Sequence, residues 1–327
     1  MLTYILPFLV LILIVVFIHE YGHYYFAKKY GVGVTDFSIG FGKEIFGWND
    51  KSGTRWKICW IPLGGYVKFF GDRNVFSQSD QEKILEKYDE KDRKKLFVLK
   101  PLYQRVLIVF GGPLANFLLA LAIFFSIYTF IGKDFTPAVI NEVQKDSPAM
   151  IAGLKQDDII LEIDGNQVKS ILDVSKYIMM STDELIDFKV KRSYDELLLK
   201  IKPNIVLSED NLGNKINKRM VGIKLGAYNN EINHVKLGPA QAIYHAAYEV
   251  YYVSISSLKY IGAMISGKAD TSQLGGPIRI AKISGQVAEF GVLAFISMMA
   301  YISISLGLIN LFPIPMLDGG HLMFYAF

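Results

Sequence analysis

The stretch Ile18-His19-Glu20-Tyr21-Gly22-His23 lies inside an apolar run that covers residues 4–26. Histidines four residues apart share one face of a helix, at about 5–6 Å between their Cβ atoms. Both imidazoles can then bind one Zn²⁺ at about 2.0–2.1 Å, while the glutamate between them is free to act on a water molecule. The stretch therefore predicts a helix in which His19 and His23 are metal ligands and Glu20 is the catalytic base.

The setting of this motif separates two interpretations. In a soluble helix, a chance match to His-Glu-x-x-His explains the residues as well as a metal site does. The apolar run is, however, long enough to cross a bilayer, which takes about 20 residues. Each ionisable group at bilayer depth costs at least about 2.5 kcal/mol and usually marks function. Three such groups within five residues favour the metal site.

Composition indicates a membrane protein with a substantial soluble part, since 51% of residues are hydrophobic and the mean hydropathy is +0.28. A net charge of +4 is too small to indicate a nucleic-acid partner. The single cysteine, Cys59, excludes an intramolecular disulfide and a cysteine-based zinc site. The N-terminal run has no basic region before it and no small-residue cleavage site after it, which predicts a retained span rather than a signal peptide.

Charge and hydropathy divide the chain into membrane and soluble segments. The region from Lys28 to Arg105 contains 16 Lys and Arg but only 10 Asp and Glu. This excess of positive charge predicts a cytoplasmic location. The predicted segments are a first transmembrane helix with the metal motif (1–31), a hairpin region with a charged linker (32–105), a second transmembrane helix (106–132), a soluble module on the outer side (133–237), interfacial amphipathic helices (238–290), and a third transmembrane helix with a Leu-Asp-Gly segment (291–327).

The hairpin region contains short β-prone pieces at Gly33–Ile39, Trp56–Ile61 and Tyr66–Phe70, separated by glycines and by the turn-rich Asn49–Gly53. We expect two or more hairpins. They either dip into the protein beside the metal helix or form an ordinary cytoplasmic sheet. Residues 77–100 are strongly charged and predict a solvated helix or loop. A basic group follows at the membrane side, formed by Lys94, Lys95, Lys100 and Arg105. These charges either bind anionic lipid headgroups or only determine the orientation of the protein in the membrane.

The second predicted span contains Gly111-Gly112-Pro113, which can kink or unwind a helix. Asn116 needs a partner inside the protein, and we favour helix packing slightly over a catalytic role for it.

The module at 133–237 contains alternating strands around one helix at Ile171–Met180; the strands are Ala138–Val143, Ile159–Ile163, Phe188–Lys191 and Leu197–Ile201. Polar residues interrupt Pro239–Met264, so we expect an interfacial helix there rather than a span. A second helix is expected at Ile278–Ala288, after Gly275-Gly276-Pro277.

The last apolar segment, Val292–Leu311, leads into two prolines and then Asp318 in an apolar context. A carboxylate added to two histidines makes an open, catalytic type of zinc site, so Asp318 is the expected third ligand. If Pro239–Met264 crossed the membrane, Asp318 would lie on the opposite side from the histidines, which again favours the interfacial helix. His321 is a competing ligand. The chain ends in an apolar stretch, and we expect a further span beyond Phe327.

These motifs resemble those of bacterial site-2 proteases of the RseP type. The matching residues are His19-Glu20-x-x-His23, Gly40-Phe41-Gly42, Pro62–Lys68, Gly112-Pro113-x-x-Asn116-Phe117 and Asn310-x-x-Pro313-x-Pro315-x-Leu317-Asp318-Gly319-Gly320-His321. The stretch from Ser147-Pro148-Ala149 to Asp164-Gly165 resembles the signature of a PDZ domain. The relatives closest to RseP carry tandem PDZ domains, whereas this chain has room for about one.

The resemblance implies a polytopic α-helical membrane protein with membrane-associated β-hairpins and one inserted PDZ-like α/β domain. It implies an intramembrane zinc metalloprotease of the bacterial inner membrane, with Zn²⁺ on His19, His23 and Asp318. The expected substrates are single-pass membrane proteins, such as anti-sigma factors or remnant signal peptides, cleaved during regulated intramembrane proteolysis. Membrane lipids are the other expected partner, and the PDZ-like domain either binds peptide C-termini or excludes bulky substrates.

Substrate contacts are expected from two regions. The hairpins, at Gly40, Phe41 and Gly42, would pair with an unwound peptide, and Asn310 would hold its backbone while Pro313 and Pro315 shape the path to Asp318. Two rival functions remain open. One is a membrane scaffold or zinc-handling protein that does not need Glu20, and the other is a zinc peptidase that is merely anchored and acts outside the bilayer.

Overall fold

The computed structural model describes residues 2–71, 88–209, 215–227, 233–267 and 276–326. The chain divides into two compact units, one formed by Met1–Ile123 with Pro277–Phe327 and the other by Phe124–Gly276. Among the described residues, three helices are long and apolar enough to cross a membrane: Tyr4–Lys29, Leu102–Ile131 and Val292–Asn310. They coincide with the three spans predicted from hydropathy.

The secondary structure alternates between long helices and short strands. The helices are α1 (Leu2–Lys29), α2 (Glu90–Arg93), α3 (Leu102–Ser126), α4 (Pro148–Ile151), α5 (Ile171–Met180), α6 (Pro239–Ile265), α7 (Pro277–Glu289), α8 (Val292–Asn310) and α9 (Asp318–Ala326). The strands are β1 (Val34–Asn49), β2 (Arg55–Phe69), β3 (Lys133–Asp134), β4 (Ala138–Val143), β5 (Ile159–Ile163), β6 (Asn166–Gln167), β7 (Ile186–Arg192), β8 (Asp195–Ile201), β9 (Asn204–Glu209), β10 (Lys215–Met220), β11 (Ile223–Ala227) and β12 (His234–Val235). A 3₁₀ turn at Phe97–Leu99 precedes α3, and a π-helical turn at Ile127–Ile131 follows it.

In the first unit the apolar helices meet where their side chains are smallest. A Cβ on Gly22 of α1 would lie 2.1 Å from the carbonyl oxygen of Gly111 in α3, so these two backbones touch directly. Small residues permit this close approach between membrane helices. The helix α3 continues through Gly111-Gly112-Pro113, and the local unwinding expected there is absent from it. Gly22 and Gly111 serve helix contact here.

The region after α1 forms one long hairpin, whereas two or more were expected. Strands β1 and β2 bend along their length, helped by Gly40 and Gly42 at φ +88° and +87°. The register pairs the start of β1 with both ends of β2, because Phe37 lies opposite Val67 and also opposite Trp56. Four strand segments therefore lie side by side, and Gly65–Phe69 forms one edge.

The second unit contains a sheet in the order β11-β4-β5-β7-β8, with β6 added to β5. Its core includes Ile140, Ile163, Val174 and Phe188, which brings α5 onto the sheet. The four predicted strands and the predicted helix are present, with β4, β5 and α5 at the expected bounds. The β9–β10 hairpin, the edge strand β11 and the short β3–β12 ladder were not predicted from the sequence.

The remaining predicted elements are only partly described. Residues 88–100 form α2 and the 3₁₀ turn, whereas the rest of the predicted charged segment, 77–87, lies outside the described residues, as does Gly275. Helices α6 and α7 occupy the two helical stretches expected after the module. The boundaries between membrane and soluble segments stay predictions.

Candidate metal centre

Three side chains from the two ends of the chain converge in the first unit. The Nε2 atoms of His19 and His23 lie 3.2 Å apart. The Oδ2 atom of Asp318 lies 3.2 Å from His19 Nε2 and 3.4 Å from His23 Nε2. Both imidazoles are buried, and the three ligand atoms fit within 4.8 Å of one another.

The sequence positions these groups by two local devices. The four-residue spacing puts both histidines on the same face of α1. Asp318 is the first residue of α9, and the loop that precedes it folds back onto two glycines. A Cβ on Gly319 would lie 2.2 Å from the Leu311 carbonyl oxygen, and one on Gly320 would lie 2.4 Å from that of Ile314. Only glycine lets the chain reverse this tightly, and the reversal returns the carboxylate to α1.

The hydrogen bond on the far side of His23 determines which nitrogen is available. Its Nδ1 lies 2.9 Å from the carbonyl oxygen of Ile108. Because a carbonyl oxygen only accepts, Nδ1 carries the hydrogen and donates it. The Nε2 atom of the neutral ring then presents a lone pair toward His19 and Asp318, as a metal ligand must.

His19 contacts Asn116, for which helix packing was slightly favoured over a catalytic role. The Nδ1 atom of His19 lies 3.2 Å from the Nδ2 atom of Asn116, which is fully buried in α3. The hydroxyl of Ser303 in α8 donates to the backbone carbonyl of Asn116 at 2.8 Å. Asn116 therefore connects the metal centre to the third apolar helix.

Glu20 lies against the edge segment of β2. A Cβ on Gly65 would lie 3.0 Å from Glu20 Cγ and 3.1 Å from Val16 Cγ1, so the strand lies close against α1 here. The backbone N–H of Val67 donates to the Glu20 carboxylate. The carboxylate therefore shares a helix with both imidazoles and is held by the neighbouring strand.

The arrangement fits a divalent metal. Asp318 Oδ2 is buried and forms no hydrogen bond, although two imidazole nitrogens lie within ion-pair distance of it. A buried carboxylate oxygen without a hydrogen bond is costly, and a cation between the three atoms would satisfy it. Two imidazoles and one carboxylate are the protein ligands of catalytic zinc sites such as that of thermolysin. His321, the competing ligand, is not part of this cluster.

Comparison with known proteins gives the family. Residues 7–327 match the profile of peptidase family M50. The chain belongs to this family. The M50 chain is 40% identical over 323 residues to a protein of Agrobacterium fabrum named "Putative zinc metalloprotease Atu1380", a match that covers 99% of this chain and 85% of that one. It is 34% identical over 335 residues to "Metalloprotease MmpA" of Caulobacter vibrioides, with 96% and 83% covered.

These relatives support a zinc metalloprotease of the site-2 protease family, and Zn²⁺ is its metal. A solved PDZ domain of an SdrC-like protein from Listeria monocytogenes also matches, at 26% identity and a TM-score of 0.22. That match covers 28% of this chain and 88% of the PDZ domain.

The residues predicted to contact substrate lie in β1, at the end of α8 and in the loop before α9. The ring of Phe41 covers Gly64, because a Cβ on Gly64 would lie 2.3 Å from Phe41 Cε2. Gly64 precedes Gly65, the glycine that lies next to Glu20. Asn310 ends α8. Pro313 and Pro315 are exposed in the loop before Asp318. Their roles stay predictions.

Proposed function

We propose that this M50 protease hydrolyses peptide bonds within or near the transmembrane segment of single-pass membrane proteins. The observation that carries the proposal is the location of the triad. His19 and His23 lie within an apolar helix long enough to cross a bilayer, and Asp318 follows a second such helix after a seven-residue loop. A peptidase whose metal-binding residues lie on or next to membrane-spanning helices acts most readily on a substrate chain that is itself in the membrane.

The proposed chemistry assigns one role to each residue. His19, His23 and Asp318 hold Zn²⁺, which when bound supplies Lewis-acid activation of water and of the scissile carbonyl. Glu20 accepts the proton of the attacking water and returns it to the leaving amine nitrogen as the C–N bond breaks. The Val67 N–H keeps the Glu20 carboxylate oriented while it exchanges this proton.

A helical substrate must unwind before attack, because its carbonyls are engaged in hydrogen bonds along the helix. Helices open most readily at Gly, Pro and other poor helix formers. We propose that the unwound peptide pairs with the β1–β2 hairpin near Gly40, Phe41 and Gly42. Asn310 would hold the extended backbone through its amide, and the loop with Pro313 and Pro315 would border the path to the triad.

Membrane lipids are the second proposed partner, and α6 supports this. Its exposed face carries large apolar residues at seven-residue intervals, namely Tyr244, Tyr251, Leu258 and Ile265. Its buried face carries small or polar residues, including Ala242, Ala246, Glu249 and Ser256. This pattern is the reverse of that of a helix in water, and it suits one whose outer face lies in the bilayer interface.

The cellular setting completes the proposal. We place the protein in a bacterial inner membrane with the 32–105 region on the cytoplasmic side and the PDZ-like module outside it. The substrate types are anti-sigma factors or remnant signal peptides, cleaved in regulated intramembrane proteolysis. The PDZ-like module would bind peptide C-termini or exclude substrates with bulky outer domains.

The test is a cleavage assay with the purified full chain in lipid nanodiscs and a tagged single-pass substrate, with the cut mapped by mass spectrometry. Wild-type protein should cut within or near the apolar segment, and Glu20→Gln should abolish cleavage while retaining zinc. Cuts confined to water-exposed sites would instead support an anchored peptidase. Persistent cleavage by Glu20→Gln would refute the role of Glu20, and zinc binding with no wild-type cleavage would favour a metal-handling protein.

A further inference from the structure

We infer that Asn116 is a positioning residue of the metal centre: its amide oxygen accepts the Nδ1 hydrogen of His19 and so keeps Nε2 directed at the metal. The inference rests on the proposed role of His19 as a ligand. It goes beyond that role because it assigns a function to a residue of another helix that contributes no ligand atom.

The two imidazoles differ in the group that faces Nδ1. A histidine that binds metal through Nε2 carries its hydrogen on Nδ1, and that hydrogen needs an acceptor. For His23 the acceptor is the carbonyl oxygen of Ile108, which allows only one tautomer. For His19 the neighbour is the amide of Asn116, which offers a donor at one end and an acceptor at the other.

The amide is free to present its oxygen. Its nitrogen faces His19 Nδ1, and its Oδ1 is buried without a hydrogen-bond partner. A half-turn about the terminal side-chain bond exchanges these two atoms without moving the rest of the residue. The oxygen then accepts from Nδ1, and the amide NH₂ takes the buried position that Oδ1 had occupied.

The rest of Asn116 is fixed, so the amide can serve as a stable support. Its side chain is fully buried, and its backbone carbonyl accepts from Ser303 at 2.8 Å. A Cβ on Gly307 would lie 3.4 Å from that of Asn116, in ordinary contact. The amide is thus held between α1 and α8 at a constant distance from the imidazole.

The experiment compares three substitutions in the purified full chain by competition for Zn²⁺ against a chromophoric chelator. Asn116→Leu keeps the approximate size but has no acceptor, Asn116→Asp is an acceptor at both oxygens, and Asn116→Ala removes the group with less risk of overpacking. Removing such a supporting partner typically weakens metal affinity about 10- to 100-fold. We expect that loss for the leucine and alanine variants, and affinity within about threefold of wild type for the aspartate variant.

Ser303→Ala is the matched control, because it removes a buried hydrogen bond to the backbone of Asn116 and leaves the amide in place. It should bind zinc more tightly than Asn116→Leu.

The outcomes separate this inference from the proposed function. If wild-type protein binds zinc but Asn116→Leu and Asn116→Ala bind it equally well, Asn116 has no positioning role. If Asn116→Asp loses as much affinity as Asn116→Leu, an acceptor is not what matters and the inference is also wrong. If His23→Ala binds zinc as tightly as wild type, the proposed metal site itself fails, whatever the Asn116 variants do. Circular dichroism of each variant identifies any that has not folded, and the alanine variant then replaces the leucine variant.

Discussion

Gly112 of α3 lies directly against His23 of α1: a Cβ on Gly112 would be 2.3 Å from His23 Nε2, and it would be 2.8 Å from the Cε1 atom of His19. The proposed ligand atom of His23, Nε2, and the edge of the His19 ring therefore face a position that has no side chain. Helix α3 supplies this space, and one turn further along it also supplies Asn116, which contacts His19 Nδ1. The second apolar helix shapes the metal centre without contributing a ligand.

Gly112→Ala should displace the imidazoles and weaken zinc binding. Overpacking of a tight site costs about 1–3 kcal/mol, which corresponds to an affinity about 5- to 150-fold lower. The matched control is Gly262→Ala in α6, where the added methyl meets no atom within 4 Å. Chelator competition should give wild-type zinc affinity for the control. Equal affinities for both variants would contradict the described packing.

In the second unit, Asp158 and Arg192 form the ion pair on which we expect the sheet to depend most. Asp158 is fully buried, and both of its oxygens accept from Arg192 at 2.7 Å. Removing one partner of a buried pair leaves a charge uncompensated, which costs about 3–5 kcal/mol. Because Arg192 reaches solvent, we expect Asp158→Ala to cost about 3 kcal/mol, at the low end of that range.

Hydrogen exchange at the amides of β5 and β7 measures this loss, because Asp158 precedes β5 and Arg192 ends β7. The control is Asp187→Ala, which removes the exposed pair with Lys200 at 3.4 Å. An exposed pair contributes about 0–1 kcal/mol, so this control should leave protection nearly unchanged. A smaller effect for Asp158→Ala than for the control would contradict the prediction.

Asp50 links the turn between β1 and β2 to α1 by hydrogen bonds. Its carboxylate accepts from Ser52 N and Oγ, Thr54 N, Tyr24 OH and Trp56 Nε1. Burial alone would raise the pKa of Asp50, but these hydrogen bonds outweigh it and hold the pKa well below its usual value. The charged carboxylate therefore stabilises the attachment of the hairpin.

The sign of the pH dependence follows from this lowered pKa. The stabilisation is complete above the unfolded-state pKa of about 3.9 and is lost as the pH falls from there through the lower folded-state pKa. Hydrogen exchange at Thr54 and Trp56 should therefore accelerate on acidification below about pH 4. Asp50→Asn should weaken protection at neutral pH and remove this acid-dependent component. An identical acid response in wild type and Asp50→Asn would show that another group is responsible.

Local sequence signals predicted the elements well, and the long-range contacts poorly. The strands β4 and β5 and the helix α5 follow from alternation and capping within ten residues or fewer, so their bounds were predictable. His19 and His23 are likewise neighbours on one helix. Asp318 came from its apolar context and from a family resemblance, because nothing local indicates which residue it meets.

The failures share one physical cause, which is that they depend on how separate segments meet. Gly111-Gly112-Pro113 indicates a kink or unwinding by composition, and composition does not indicate that its glycines accommodate α1 and the imidazoles. The bend of β1 and β2 into four paired segments is a matter of register between distant residues. Asn116 was identified as a buried polar residue in a membrane helix that needs a partner, but its contact with His19 depends on the α1–α3 crossing.

Zinc stoichiometry tests the central claim most directly, namely that distant parts of the chain form one metal centre. Elemental analysis of purified protein should give one zinc per chain for wild type and for His321→Ala, a histidine three residues from the proposed ligand. Asp318→Ala should retain much less zinc under the same dialysis. A full complement of zinc in Asp318→Ala, or its loss in His321→Ala with Asp318 intact, would contradict the proposed triad.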